Sequence, residues 1–210
     1  MLITLIHALR HSPPPIEQAF ARLWPEVRLR NLLDDSLSAD VAREGGLRPQ
    51  MTQRFLDLTR YTVKNGTDAI LFTCTAFGPC IDACIEEFPS LPILKPNEAM
   101  VEQLTVLNKS VGLLASFGPT LMSMPAEFPA SVKLKTCLVE GALAAMDAGD
   151  VAEHDRLASK AAQENLRDCD VIALAQFSLA RAAPAVAAAT GKKVYTTPDC
   201  AVTKLRSIMT

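Results

Sequence analysis

Two stretches about a hundred positions apart constrain this chain more than anything else in it. Asp68-Ala69-Ile70-Leu71-Phe72-Thr73-Cys74-Thr75-Ala76 falls on Asp170-Val171-Ile172-Ala173-Leu174-Ala175-Gln176-Phe177-Ser178. At almost the same offset, Ile93-Leu94-Lys95-Pro96-Asn97-Glu98 falls on Val194-Tyr195-Thr196-Thr197-Pro198-Asp199. A near-constant offset over separate segments is the mark of an internal duplication. The 210 residues can bury one good core or two small ones, and a duplication points to two.

The first copy opens on an apolar, β-rich run, residues 69–73, entered through Asn65-Gly66 and left through Gly78-Pro79. It reads as a buried parallel strand. Further strands are expected over 2–8, 27–33, 92–94, 111–115, 132–138, 170–175 and 194–196. Asp34-Asp35-Ser36 closes the second of these in a polar turn. Helical patterns fall between them: from Ile16, at Met51, Phe55, Leu58 and Thr62, and over 79–87, 98–107, 143–149, 151–166, 179–189 and 200–209. A further helical segment ends near Pro125. Strands alternating with helices predict an α/β fold on a parallel sheet.

The first strand ends on Cys74, just before a helix. Ligands of open α/β sheets bind at that edge. The helix dipole there can lower a thiol pKa and hold an anion. A small apolar cysteine finishing a core strand is the plainer reading. Facing halves would bring Cys74 and Gln176 to opposite walls of one central cleft.

Composition removes several classes of function. Hydrophobic residues make up 49%, charged residues 21%, and the net charge is only -2. No basic run or stripe suggests a nucleic-acid surface. Residues 1–9 are apolar, but His7 interrupts them and Arg10, His11 and three prolines follow. That is too short to span a bilayer and lacks the parts of a signal peptide, so a cytoplasmic location is expected, with no membrane partner. The six cysteines are then reduced. Cys74, Cys80 and Cys84 match no common zinc spacing, so no metal is expected. The chain has no phosphate-cradling glycine motif and no nucleophile elbow. The alanine-rich helices between Leu143 and Ala189 would pack on a sheet or against a second subunit, which leaves a homo-oligomer open.

Leu71-Phe72-Thr73-Cys74-Thr75 with its following helix resembles the first cysteine motif of the aspartate/glutamate/hydantoin racemase superfamily. So do Lys95-Pro96-Asn97-Glu98-Ala99-Met100, and Val111-Gly112-Leu113-Leu114-Ala115-Ser116 with Thr120 behind it. Leu138-Val139-Glu140-Gly141-Ala142, Gly149-Asp150 and His154-Asp155 resemble the second half of that family. The resemblance implies two similar Rossmann-like lobes, each with a mainly parallel sheet, related by pseudo-two-fold symmetry. One lobe would be residues 1–97 with 199–210 and carry Cys74; the other, 98–198, would carry Gln176. It also implies an active site without a cofactor and a small carboxylate-bearing substrate. In the family one thiol removes the proton beside a carbonyl and a second returns one, because inversion needs an acid and a base on opposite sides.

Here the position matching the second thiol is Gln176, which is neither acid nor base. Cys169 lies at the wrong end of its strand, and Cys200 lies within the last helix. The resemblance therefore implies a one-cysteine variant. The leading expectation is a racemase or isomerase working at the carbon alpha to a carboxylate or amide carbonyl, with Cys74 as acid/base. A single-cysteine decarboxylase or lyase is the alternative, and a small-carboxylate binding protein without turnover a third.

Further roles each have a structural counterpart. Thr75 and Ala76 would hold a substrate carboxylate, or Thr75 would cap a helix. Gln176 and Ser178 would bind the substrate, or be satisfied polar groups at a strand end. Ser116 and Thr120 would add hydroxyl contacts, or serve as turn and cap residues. His7 would donate to the substrate or act as the missing proton carrier, or simply pack at its strand terminus. Glu98 and Asp199 would cap their helices or orient a neighbouring group. His11 and His154 read as surface residues.

Overall fold

Both copies of the repeat build the same sheet. A computed structural model describes residues 1–210 and falls into two compact units, Met1–Pro96 with Ala201–Thr210, and Asn97–Cys200.

The first unit runs β1 (Leu2–His7), α1 (Pro13–Leu23), β2 (Arg28–Leu33), α2 (Ser36–Glu44), α3 (Pro49–Lys64), β3 (Ala69–Phe72), α4 (Gly78–Glu87) and β4 (Ile93–Leu94). The second runs α5 (Glu98–Thr105), β5 (Val111–Ala115), α6 (Gly118–Ser123), β6 (Leu134–Leu138), α7 (Ala142–Asp147), α8 (Val151–Asn165), β7 (Val171–Leu174), α9 (Ala183–Thr190) and β8 (Lys193–Thr196). The last helix, α10 (Thr197–Met209), carries the boundary between the units. The sheets are ordered β2-β1-β3-β4 and β6-β5-β7-β8, and every pair of strands is parallel.

The register repeats too. Ile6 faces Phe72 and Leu71 faces Leu94 in the first sheet; Leu114 faces Leu174 and Ala173 faces Tyr195 in the second. Cys74 and Gln176 therefore each stand two residues beyond the last pair made by the third strand of their sheet. The repeated aspartates do the same work at the other end. Leu2 N donates to Asp68 Oδ2 at 2.7 Å while Asp68 N donates to Leu2 O at 2.8 Å. Ser110 N and Asp170 repeat this pair at 2.8 and 3.0 Å.

One face of the first sheet, with Ile6, Ile70 and Phe72, buries Leu37, Met51, Phe55, Phe77 and Ile81 against it. The Phe55 ring lies 5.4 Å from that of Phe72 and 4.8 Å from that of Phe77. Burying such a side chain is worth about 2–3 kcal/mol. In the second sheet Leu114, Ile172 and Leu174 meet Ala158, Ala162, Ala182 and Val186. Small side chains let α8 and α9 approach closely, which accounts for the alanine-rich sequence. At Gly112 in β5 a Cβ would come within 2.9 and 3.1 Å of Leu166, which follows α8 and is itself fully buried.

The sequence reading needs three corrections. First, α1 begins at Pro13 rather than Ile16, because proline tolerates a first turn that needs no N–H. Second, α2 is a nine-residue helix where only a polar turn is read. Its one buried residue is Leu37, so it shows no apolar stripe. Polar contacts hold it instead. Ser36 N and Oγ donate to Asp34 Oδ1 at 3.1 and 2.6 Å, and Arg54 of α3 pairs with both Asp34 (2.6 Å) and Asp40 (2.5 Å). Third, His154 is not a surface residue: it is buried in α8, with Nδ1 2.8 Å from Asp155 Oδ1. Asp155 also pairs with Arg181 at 3.0 Å. No helix is long and apolar enough to cross a membrane.

Candidate active site

At the carboxyl edge of the first sheet the backbone stays extended through Cys74 and then turns into a short 3₁₀ segment, Thr75–Phe77, that leads into α4. Alternation along the strand puts Cys74 on the face of Ile70 and Phe72, against the apolar core, and Thr73 on the other. Cys74 is the one half-buried cysteine of the chain; the other five are buried. It borders a narrow recess lined by Ile6, His7, Ala8, Leu37, Phe55 and Phe72. Burial pushes the Cys74 thiol up, and the Ala76 N–H and Ser38 hydroxyl, which act in the opposite sense, do not offset it. The expected lowering by the helix is thus outweighed by desolvation, and the resting group is S–H.

His7 and Thr73 follow the last register pair on the opposite face. His7 Nδ1 lies 2.8 Å from Thr73 Oγ1, and Nε2 lies 3.0 Å from Asn31 Oδ1. Asn31 Nδ2 donates in turn to Glu17 Oε1 of α1. An acceptor at Nε2 fixes that nitrogen as the N–H, which leaves Nδ1 to accept from Thr73. The His7 side chain is fully buried and both nitrogens are engaged. Neither is left over for a substrate. Sequence reasoning did not find Asn31 or Glu17, since nothing in their spacing marks them.

Burial lowers the His7 pKa below 6.5, although Asn31 and the charge of Glu17 pull it upward. As pH falls through 6.5 the unfolded chain takes up a proton that the folded protein refuses, so stability falls in that window. Asp34 and Asp155 titrate below 3.8 and act only at lower pH. We expect urea midpoints of the native protein to drop on acidification just below 6.5, and His7→Gln to flatten that limb. An unchanged slope in His7→Gln would assign the limb to other groups.

The second sheet ends differently. Gln176 Oε1 accepts from Ser116 N at 2.6 Å and from Ser116 Oγ at 3.0 Å. With the oxygen occupied twice, the amide presents its NH₂ as a donor. Ser178 opens a short 3₁₀ turn, Ser178–Ala182, and Thr120 is buried in α6. The first unit thus sets Cys74 at a recess that His7 and Ala8 also border, and ties His7 to Thr73. The second brings together Ser116 and Gln176. Thr75 is half-buried and stands as the first residue of the 3₁₀ segment, whose N-cap position is Cys74. Glu98 and Asp199 lie in the first turns of α5 and α10, where a carboxylate suits the helix dipole. Cys200 is held 2.9 Å from Gln103 Oε1, and burial, with the charge of Asp199, pushes it up to about 12. Cys169 lies ahead of β7, at the amino end. Neither supplies a second working thiol.

No family model and no curated protein sequence matches the chain. Solved structures do. Allantoin racemase from Klebsiella pneumoniae is 14% identical, with a TM-score of 0.74 over 100% of this chain and 87% of that one. Glutamate racemase from Thermus thermophilus, in complex with β-chloro-D-alanine, is 18% identical, with a TM-score of 0.72 over 99% of this chain and 79% of that one. Arylmalonate decarboxylase is 20% identical, with a TM-score of 0.66 over 98% and 92%. The chain therefore shares the fold of these two racemases and of this decarboxylase.

Proposed function

We propose that this protein is a cofactor-independent enzyme that moves a proton at the carbon alpha to a carboxylate, with Cys74 as the acid/base. The reaction we favour is decarboxylation of a substituted malonate-like acid. The observation that carries this choice is Gln176 at the register position equivalent to Cys74, its oxygen committed to Ser116. A donor amide can steady negative charge but cannot carry a proton. Cys74, held as a thiol by burial, suits the giving of a proton better than its removal.

In this scheme the bond to one carboxylate breaks and carbon dioxide leaves. The electron pair stays on the alpha carbon, spread into the remaining carboxylate. Cys74 S–H protonates that carbon from one side, and water later returns a proton to the thiolate. Thr75 and Ala76 of the first unit and Ser116, Thr120, Gln176 and Ser178 of the second are assigned to the carboxylates and the developing charge. His7 is assigned to holding the end of the strand through Thr73, the residue before Cys74. Racemisation of an amino acid or hydantoin is the second reading, supported by the racemases that share the fold, and it needs a second proton carrier.

Incubation in heavy water with substituted malonates, acidic amino acids and hydantoins separates the readings. Decarboxylation releases carbon dioxide and leaves one deuterium on a single-handed product. Inversion with exchange supports the racemase. Binding without turnover rejects both.

A further inference from the structure

The neighbours His154 and Asp155, buried and half-buried in α8, meet the segment that follows Gln176. α8 leads into the amino end of β7, so its first turns stand at the carboxyl edge of the second sheet, where β7 ends. There Arg181, in the 3₁₀ turn Ser178–Ala182, reaches the Asp155 carboxylate with both arms of its fork. Nε lies 3.0 Å from Oδ1 and 3.3 Å from Oδ2, and Nη2 lies 3.0 Å from Oδ2. We propose that Arg181 is a positioning residue for Gln176: held on Asp155, it fixes the turn that sets where the Gln176 amide stands at the sheet edge.

The linkage from the ion pair to the amide is short. Leu179 N donates to Gln176 O at 3.2 Å, and Ala180 N donates to Phe177 O at 3.2 Å. The turn that carries Arg181 is thus hydrogen-bonded back onto Gln176 itself. Ser116 holds the other end of that residue through Oε1. Leu179 and Ala182 are fully buried, in one cluster with Ala158 and Ala162 of α8. Burial of apolar surface has no direction, so it sets the depth of the turn and leaves its rotation to polar contacts. A guanidinium fork on a carboxylate supplies the direction.

An exposed ion pair would be too slack for this, because two long side chains must be ordered to form it. Here the acceptor is already fixed. His154 is buried, and its Nδ1 lies 2.8 Å from Asp155 Oδ1. Burial opposes ionisation of Asp155, but Arg181 and His154 outweigh it and hold the carboxyl below its ordinary range. It is therefore ionised at neutral pH and can only accept, which makes the imidazole Nδ1 the donor. The adjacent charges of α8 do not compete for Asp155, since Arg156 Nε and Nη2 lie 2.6 and 2.7 Å from the Glu153 carboxylate.

The catalytic meaning rests on the assignment of Gln176 to the developing charge, but the pinning is testable without turnover. Hydrogen exchange of the native protein and of Arg181→Met is followed by mass spectrometry. Peptides covering 176–182 exchange about tenfold faster in the variant, the effect of losing a charge-assisted hydrogen bond, while those covering β7 keep parental rates. In carbon dioxide release from substituted malonates, kcat falls about tenfold with KM little changed, because the misplaced amide serves the transition state. Arg181→Lys, which keeps the charge without the fork, behaves like Arg181→Met. In a Gln176→Ala background, Arg181→Met costs no further activity. Parental exchange over 176–182 in Arg181→Met overturns the proposal. So does a parental kcat in Arg181→Lys, or an additive loss in the Gln176→Ala background. A merely structural ion pair would lower the urea midpoint of Arg181→Met and leave its kcat alone, and that result overturns the proposal too. Faster exchange in a protein that releases no carbon dioxide rejects the decarboxylation reading and leaves Arg181 pinning Gln176.

Discussion

Cys74→Ser should fold as the parent does and release carbon dioxide from substituted malonates about a thousandfold more slowly, the size expected for loss of a placed general acid. The substitution keeps shape and the neighbouring Ala76 N–H, so binding should survive and the loss should fall on turnover. A serine hydroxyl is far too weak an acid to protonate a carbanion in competition with solvent. The parent's pH profile carries the same signature. A thiol donor works only while protonated, and burial keeps Cys74 protonated above the ordinary 9.0. Activity should therefore hold through neutral pH and fall only beyond the range of an exposed thiol. A Cys74→Ser protein within tenfold of the parent would remove Cys74 from the chemistry.

What sequence conveyed, and what it withheld, follows from how each feature is encoded. The sheets were legible because buried parallel strands are uninterrupted apolar runs, and Ala69–Phe72 and Val171–Leu174 are wholly buried. The equivalence of Cys74 and Gln176 was legible because a duplication preserves offset, and the register bears it out. α2 was not legible. A helix held by Arg54, Asp34 and Asp40 leaves no periodic apolar trace, and those partners lie on three separate segments. The same holds for the chain from Glu17 through Asn31 and His7 to Thr73, since its members meet only once β2 and β3 flank β1. The thiol's protonation was misjudged for a related reason. The helix that follows is visible in the sequence, whereas the depth of apolar packing from Phe55 and Leu37 is not.

The last expected result turns on the amide. Gln176→Cys should convert a one-sided proton donor into a catalyst able to work from two sides. On the proposed decarboxylation, the parent should make a product of one hand in heavy water and then leave it alone. The variant should lose that handedness, and should racemise the isolated product at least a hundredfold faster than the parent, within the range of a placed acid/base group. The substitution also has a structural cost. Ser116 N and Oγ lose their shared acceptor, and Ser116 is buried. An unsatisfied buried donor costs about 1–3 kcal/mol, so the urea midpoint should fall even as the new activity appears. Stability and stereochemistry thus report on separate links. A destabilised variant that still makes one hand would mean that Gln176 matters to its own sheet and not to the reacting carbon. Racemisation without destabilisation would mean that sulfur replaces the amide at Ser116. Both effects together are what the proposed division into one proton carrier and one donor amide requires.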